Sequence, residues 1–365
     1  MARQDDNPSY ALPTLYAPWI AELLSGPIPQ ETKATCDDCA MCTKEGPVAD
    51  RYSFDPHVKC CSYEPRLPNF MVGRILADDS PENAEGRASV LTRIQEQLDV
   101  SPLGLVGSTR YGLLYKYHDG FGRAPDLRCP HFVDAEDGGH CGIWANRPVV
   151  CATWFCKHDR GAVGQEFWFR LSELLRAIEM ELSIWCAAEL GAGSAELFTL
   201  ERSPSARVDL AELGGPVDME RHRRIWGDWT GKELRYYQAC AELVSEIRWE
   251  QVSAICGART RVLVSLVQKA YNSLISEDIP VRLKVGAFRV EGAQNRKLRV
   301  VTYSGYDPLM MSEKLASALP YFSGQPWTDA LESIRTSLGL RMDPQLVRRL
   351  TDFQFLVECK DPDGR

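Results

Sequence analysis

Cys36-x2-Cys39-x2-Cys42 puts three thiols within seven residues, the spacing that three thiolates need to grip one compact inorganic centre. Nine of the chain's thirteen cysteines lie between Cys36 and Cys156. The adjacent pair Cys60 and Cys61 follows eighteen residues after Cys42, and a second set comes as Cys129, Cys141, Cys151 and Cys156. The segment therefore reads as a metal-binding domain, with all nine cysteines as candidate ligands.

Two metals compete for those ligands. A structural zinc ion takes four ligands in a tetrahedron at about 2.3 Å per sulfur, usually from two Cys-x2-Cys knuckles or from one knuckle with histidines. Cys36 and Cys39 make one such knuckle, but the third cysteine at the same interval matches the opening of bacterial ferredoxin loops, which wrap a four-iron cluster. The expected cofactor is a [4Fe-4S] cluster, one or two of them, with zinc as the alternative. The ferredoxin loop would place its next cysteine at Gly46, so the fourth ligand must come from Cys60, Cys61 or the second set. Radical enzymes that cleave S-adenosylmethionine use Cys-x3-Cys-x2-Cys, an interval found nowhere in this chain. With four ligands per cluster, two clusters would use eight of the nine candidates and leave one over.

The remaining composition narrows the class. A chain of 365 residues is long for one hydrophobic core, and its 44% apolar content is that of a globular protein. A net charge of -8 without any long basic block argues against nucleic acid or an anionic membrane as a partner. No stretch approaches the roughly 18 to 20 apolar residues that span a bilayer, and the start, with Asp5 and Asp6, lacks the basic and apolar pattern of an export signal. The expected location is the cytoplasm. In that reducing compartment an odd number of cysteines is better explained by metal than by disulfides.

The fold class expected is α+β, mostly helical: an irregular, metal-stapled cysteine domain followed by a small winged-helix-like C-terminal domain. Residues 1-35 read as an N-terminal extension with a helix over Leu15 to Leu24. Residues 36-191 read as the cysteine-cluster domain. Within it Ala88 to Leu98 places Leu91, Ile94 and Leu98 on one helical face, and Phe167, Leu171, Leu174, Leu175, Ile178, Leu182 and Trp185 mark a long amphipathic helix over Gln165 to Leu190, capped by Gly191. Residues 192-276 form a linker and helical segment, with Ser203-Pro204-Ser205 and Gly214-Gly215-Pro216 as breakers and helices near Lys232 to Ile247 and Arg259 to Ser276. Residues 277-365 are the last domain. Two strand-like runs, Val281 to Val290 and Lys297 to Tyr303, precede three helical stretches, the third with Asp343 as cap and Pro344 at its first position. Phe355 to Val357 reads as a closing strand.

Read with their neighbours, the motifs Cys36-Asp-Asp-Cys39-Ala-Met-Cys42, Cys129-Pro-His-Phe and Cys141-Gly-Ile-Trp-Ala-Asn-Arg147-Pro148-Val-Val-Cys151 resemble the YkgJ-type family of cysteine-cluster proteins, described as zinc- or iron-chelating domains. The Ile143-Trp144 pair followed by Arg147-Pro148 and a cysteine is the most specific part. The likeness covers residues 36 to 156, about a third of the chain. The family doubles its third cysteine, whereas Thr43 follows Cys42 here and Cys60-Cys61 supplies the doubled pair. A similar cysteine pattern occurs in flagellin lysine N-methylases, which implies a protein-modifying enzyme as a further alternative.

Other residues carry smaller expectations. Lys59, Arg128, Arg147, Lys157, His158 and Arg160 lie beside the motifs, where cations would stabilise thiolates and raise a cluster's reduction potential. His57, His131, His140 and His158 are possible substitutes for a thiolate, while Asp37 and Asp38 read as solvated loop residues. Cys186, Cys240 and Cys256 fall in helical segments and read as core. The last domain's rhythm of Phe322-Ser-Gly, Trp327 to Leu338 and Pro344 to Leu356 resembles peptide-recognition domains of peptide-modifying systems, so binding of a protein or peptide partner, or a purely packing role, is expected there. DNA is disfavoured because Asp329, Glu332, Asp343 and Asp352 balance Arg341, Arg348 and Arg349.

Overall fold

The computed structural model describes residues 12–36, 38–42, 52–107, 109–117, 120–136, 138–192 and 219–360. Asp5, Asp6, Asp37, Thr43, Gly46 and the breakers expected at 203–205 and 214–216 fall outside them. The architecture is α+β. The chain divides into two compact units that are discontinuous in sequence: Met1–Gln30, Cys36–Trp154 and Leu171–Ser265 form the first, and Glu31–Thr35, Phe155–Arg170 and Leu266–Arg365 the second. Among the described residues no helix is long and apolar enough to cross a membrane.

In chain order the elements up to the C-terminal region are α1 (Tyr16–Leu23), β1 (Leu67–Pro68), α2 (Asn69–Ala77), α3 (Ala84–Gln95), β2 (Val100–Ser101), β3 (Gly104–Leu105), α4 (Thr109–Tyr117), β4 (Phe132–Val133), β5 (His140–Cys141), α5 (Val149–Thr153), α6 (Gly161–Glu189), α7 (Met219–Trp226), α8 (Glu233–Ser245) and α9 (Trp249–Ile275). Helix α6 is the long amphipathic helix, and it ends where Gly191 takes the left-handed conformation, φ 63°, that a chiral side chain resists. Gly257, at φ 68° and ψ -157°, breaks α9.

The cysteine segment carries a helix that periodicity leaves unassigned, α2, whose Phe70, Met71, Val72 and Ile75 are buried, together with buried Val58, Leu67, Val90, Leu103, Leu105 and Leu127. Helix α2 packs on α8, and Leu171, Leu174, Leu175, Ile178 and Leu182 of α6 bury their own stripe. The reason lies in α2's composition, which is apolar almost all round and so leaves no alternating stripe to read. In α3 the buried face is Val90, Arg93 and Ile94, while Leu98 lies beyond the helix and is exposed.

Two glycines permit close approaches. A Cβ on Gly73 of α2 would stand 1.9 Å from the Tyr237 carbonyl oxygen of α8, and one on Gly86 of α3 would stand 2.0 Å from that of Gly142, next to Cys141. Neither backbone oxygen can yield as a flexible side chain would. Gly86→Ala is expected to destabilise the first unit by about 2 kcal/mol, the usual cost of overpacking, in urea unfolding, and to displace the Cys141 loop.

The second unit has its own core, built on Leu283, Val300, Met311, Leu319, Phe322, Ile334, Val347, Leu350, Phe353 and Phe355. Its elements are β6 (Arg282–Val285), β7 (Arg289–Gln294), β8 (Lys297–Val301), β9 (Leu309–Ser312), α10 (Glu313–Ala316), β10 (Ser323–Pro326), α11 (Trp327–Leu338), α12 (Pro344–Asp352) and β11 (Leu356–Glu358). The first expected strand is two, β6 and β7, and β9 and β10 are additional. They form two antiparallel sheets, ordered β7-β8-β9 and β10-β6-β11. The expected cap of α12 is present, since the Leu346 amide donates to Asp343 Oδ1 at 2.7 Å. Asp352 closes this unit by accepting from Arg160 at 2.6 Å and from Arg348 at 3.0 Å.

Candidate metal centre

Eight of the nine candidate cysteines belong to the first unit, and four separate pieces of chain bring them together. Cys36, Cys39 and Cys42 lie on one loop, tightened where the Cys42 amide donates to the Cys39 carbonyl at 3.1 Å. A bridge between Cys42 and Phe54, with the Phe54 amide donating to Met41 O at 2.8 Å, ties that loop to the turn carrying Cys60 and Cys61. The Cys129 amide in turn donates to Cys61 O at 2.6 Å. Strand β5 pairs Cys141 with Phe132 of β4, three residues after Cys129. Cys151 sits in α5, the short helix that begins just after Pro148.

The thiols act on one another. Cys36 lies within electrostatic reach of Cys60 and Cys39, Cys141 of Cys36 and Cys60, Cys61 of Cys141, Cys129 and Cys151, and Cys151 of Cys141 and Cys60. Burial pushes Cys36 up to about 12 and Cys141 up to about 11, because desolvation penalises the thiolate and neighbouring sulfurs add repulsion. Cys39 and Cys42 share a hydrogen bond that holds Cys39 down to about 6 and pushes Cys42 up. Cys60 is likewise raised, first by its hydrogen bond with Cys61 and then by burial. All thirteen cysteines are free of disulfides. Among the described residues no three His, Cys, Asp or Glu side chains already converge on one ion-sized point, so ligation requires these thiols to lose their protons and turn out of their mutual hydrogen bonds.

Two cations are buried among the sulfurs. Lys59, 9% exposed, donates through Nζ to Cys36 O at 3.1 Å and to Gly139 O at 2.5 Å. Its charge favours the thiolates of Cys36, Cys39 and Cys42. Its residue takes φ 50°, an uncommon left-handed conformation for a non-glycine residue. Arg147 is 4% exposed, with its guanidinium 3.8 Å from the Trp144 ring centroid and donating to Trp144 O at 2.8 Å. That charge favours the thiolates of Cys141, Cys151 and Cys36. The other cations named from the sequence are engaged elsewhere: Arg128 with Asp134 at 2.7 Å, and Lys157, His158 and Arg160 within the second unit.

Histidines have other partners as well. His57 meets Asp134 at 2.7 Å, and buried His131 meets Ser89 Oγ at 2.8 Å. His140 is exposed. Cys156 is buried in the second unit. Cys186, Cys240 and Cys256 are buried as expected for core, and Cys186 Sγ faces Cys240 O at 3.9 Å.

Sequence reasoning missed one positioning group. Glu179, on the buried side of α6, accepts from the Tyr16 hydroxyl at 2.5 Å and from the Val149 amide at 2.8 Å, so a carboxylate caps the start of the helix that carries Cys151. Burial raises its carboxyl to about 7. The signal was available: Glu179 continues the series Leu171, Leu175 at four-residue spacing, a charged residue inside an apolar stripe. Compared with known proteins, the chain matches no family model, no curated protein and no solved structure, so the centre is assigned from its own residues.

Proposed function

We propose that the first unit is an iron–sulfur domain in which Cys36, Cys39, Cys42, Cys60, Cys61, Cys129, Cys141 and Cys151 hold one or two [4Fe-4S] clusters, for electron transfer, redox sensing or support of a partner enzyme. The observation that carries this reading is the gathering of eight disulfide-free thiols from four chain segments around two buried cations. Beyond the carbonyls and the indole face that hold them, these cations have charge to offset, and four thiolates around a four-iron core leave negative charge for them. The resemblance of the motifs to YkgJ-type domains points the same way. A bound cluster supplies one-electron exchange; the chain's own residues supply the thiolates and the counter-charge.

Thirteen free thiols suit the reducing cytoplasm, which is the compartment we assign. The second unit is read as a winged-helix-like module for a protein or peptide partner. Its Arg348 is held by Asp352, Ser276 O and Asp278 O, so this α12 cation is occupied within the unit.

Anaerobic purification followed by iron, sulfide and zinc analysis tests the reading. The expected product is brown, with iron and sulfide in equal amounts. A colourless protein containing zinc, or no metal after reconstitution with iron and sulfide, overturns it.

A further inference from the structure

Resting on that reading, we propose that the eight cysteines form two adjacent four-thiolate centres, Cys36, Cys39, Cys42 and Cys60 at one and Cys61, Cys129, Cys141 and Cys151 at the other, with Lys59 and Arg147 as their respective buried counter-ions.

Backbone connections divide the ligands in this way before any charge is considered. The Cys36 to Cys42 loop is fastened to the preceding part of the turn, through the Cys42 and Phe54 bridge and through Lys59 Nζ on Cys36 O. That places Cys60 within reach of Cys36 and Cys39. The next residue is fastened the other way, because Cys61 O receives the Cys129 amide at 2.6 Å. The hairpin of β4 and β5 then carries Cys141 beside Cys129, and α5 adds Cys151; Cys61 shares a hydrogen bond with the adjacent Cys60 and lies within reach of all three of these thiols. Adjacent residues thus serve different sets.

The cations follow the same division. Lys59 acts on Cys36, Cys39 and Cys42, the three thiols of the first loop. Arg147 lies in the chain between Cys141 and Cys151 and acts on both. It also reaches Cys36, and Cys60 reaches Cys141 and Cys151, as is required if the two centres abut through one peptide bond whose Cα atoms stand about 3.8 Å apart. Eight ligands fill two cubanes completely, which leaves Cys156 of the second unit as the spare among the nine.

The test compares metal content in the full chain reconstituted anaerobically with iron and sulfide. Wild type is expected to hold roughly eight irons, and Cys42→Ala or Cys129→Ala about half as many, as two [4Fe-4S] sites require. Cys156→Ala is expected to keep the wild-type content. A wild type that stops at about four irons, or single variants that each lose all iron while still folded by circular dichroism, overturns the partition. If the cysteine variants do not fold, Lys59→Gln and Arg147→Gln serve instead: in a redox titration each is expected to lower the midpoint of a different one of two waves, and a shift of the same wave by both overturns the assignment. A wild type that takes no iron overturns the iron–sulfur reading itself. Uptake of two zinc ions, halved by either cysteine variant, overturns that reading while supporting the partition.

Discussion

Replacing Cys39 or Cys151 by serine is expected to lower bound metal by at least half and to loosen the first unit, whereas Cys240→Ser is expected to leave metal content at the wild-type value. Cys39 and Cys151 come from different segments, a loop and helix α5, and reach different neighbours, so a shared effect on metal traces to ligation rather than to one local defect. Because unfolded chain offers no preformed site, metal binding contributes directly to folding, and protease resistance of the first unit should fall together with metal content. Cys240 is the matched control. It is fully buried in α8, close to Cys186, and far in role from the thiol array. Its serine variant exchanges a buried thiol for a hydroxyl beside Cys186 and Tyr236, which changes the melting temperature without touching the candidate ligands. Equal metal content in all three variants would sink the ligand assignment.

What could be read from the sequence follows from what each signal depends on. The candidate ligands are local signals: Cys36-x2-Cys39-x2-Cys42 and the Arg147-Pro148 pair before Cys151 are set by a few consecutive residues, and the structure gathers these cysteines with Cys60, Cys61, Cys129 and Cys141 in one unit. Helices with a clean stripe were legible too, α6 and α12 with their caps among them. Helix α2 was not, because a segment apolar on nearly every side has no period, and its partner α8 lies more than 150 residues away in sequence. The choice among six nearby cations was equally hidden. Lys59 and Arg147 differ from Arg128 only in what surrounds them after folding, since Arg128 has an exposed carboxylate partner and they have carbonyls, an indole face and thiols. Cys156, five residues after Cys151, falls in the other compact unit, a boundary with no mark in composition.

A second large effect concerns pH and the second unit. Glu31 is buried, with Oε1 accepting from the Trp168 indole at 2.7 Å and Oε2 from the Asp159 amide at 2.5 Å. Burial outweighs those hydrogen bonds and raises its carboxyl from 4.5 to about 7. A folded-state value above the unfolded one means the folded chain holds the proton more tightly. The stability this provides is complete below about pH 4.5 and is lost as pH rises through 7, amounting to about 2 kcal/mol between pH 5 and pH 8. His158, whose imidazole is lowered to about 4 chiefly by burial, acts in the opposite sense, because its stability is lost as pH falls below 6.5. The two are separated by Glu31→Gln, which removes the carboxyl and leaves the histidine. Glutamine keeps one accepting oxygen, so the variant should be less stable than wild type at pH 5, where the neutral acid satisfies both donors. By pH 8 the gap should narrow by about 2 kcal/mol, since wild type then carries a buried charge that the variant lacks. Urea unfolding of the two chains at both pH values, followed by fluorescence, measures that difference directly; a gap that stays constant, or widens toward pH 8, would show that Glu31 is not the group that titrates.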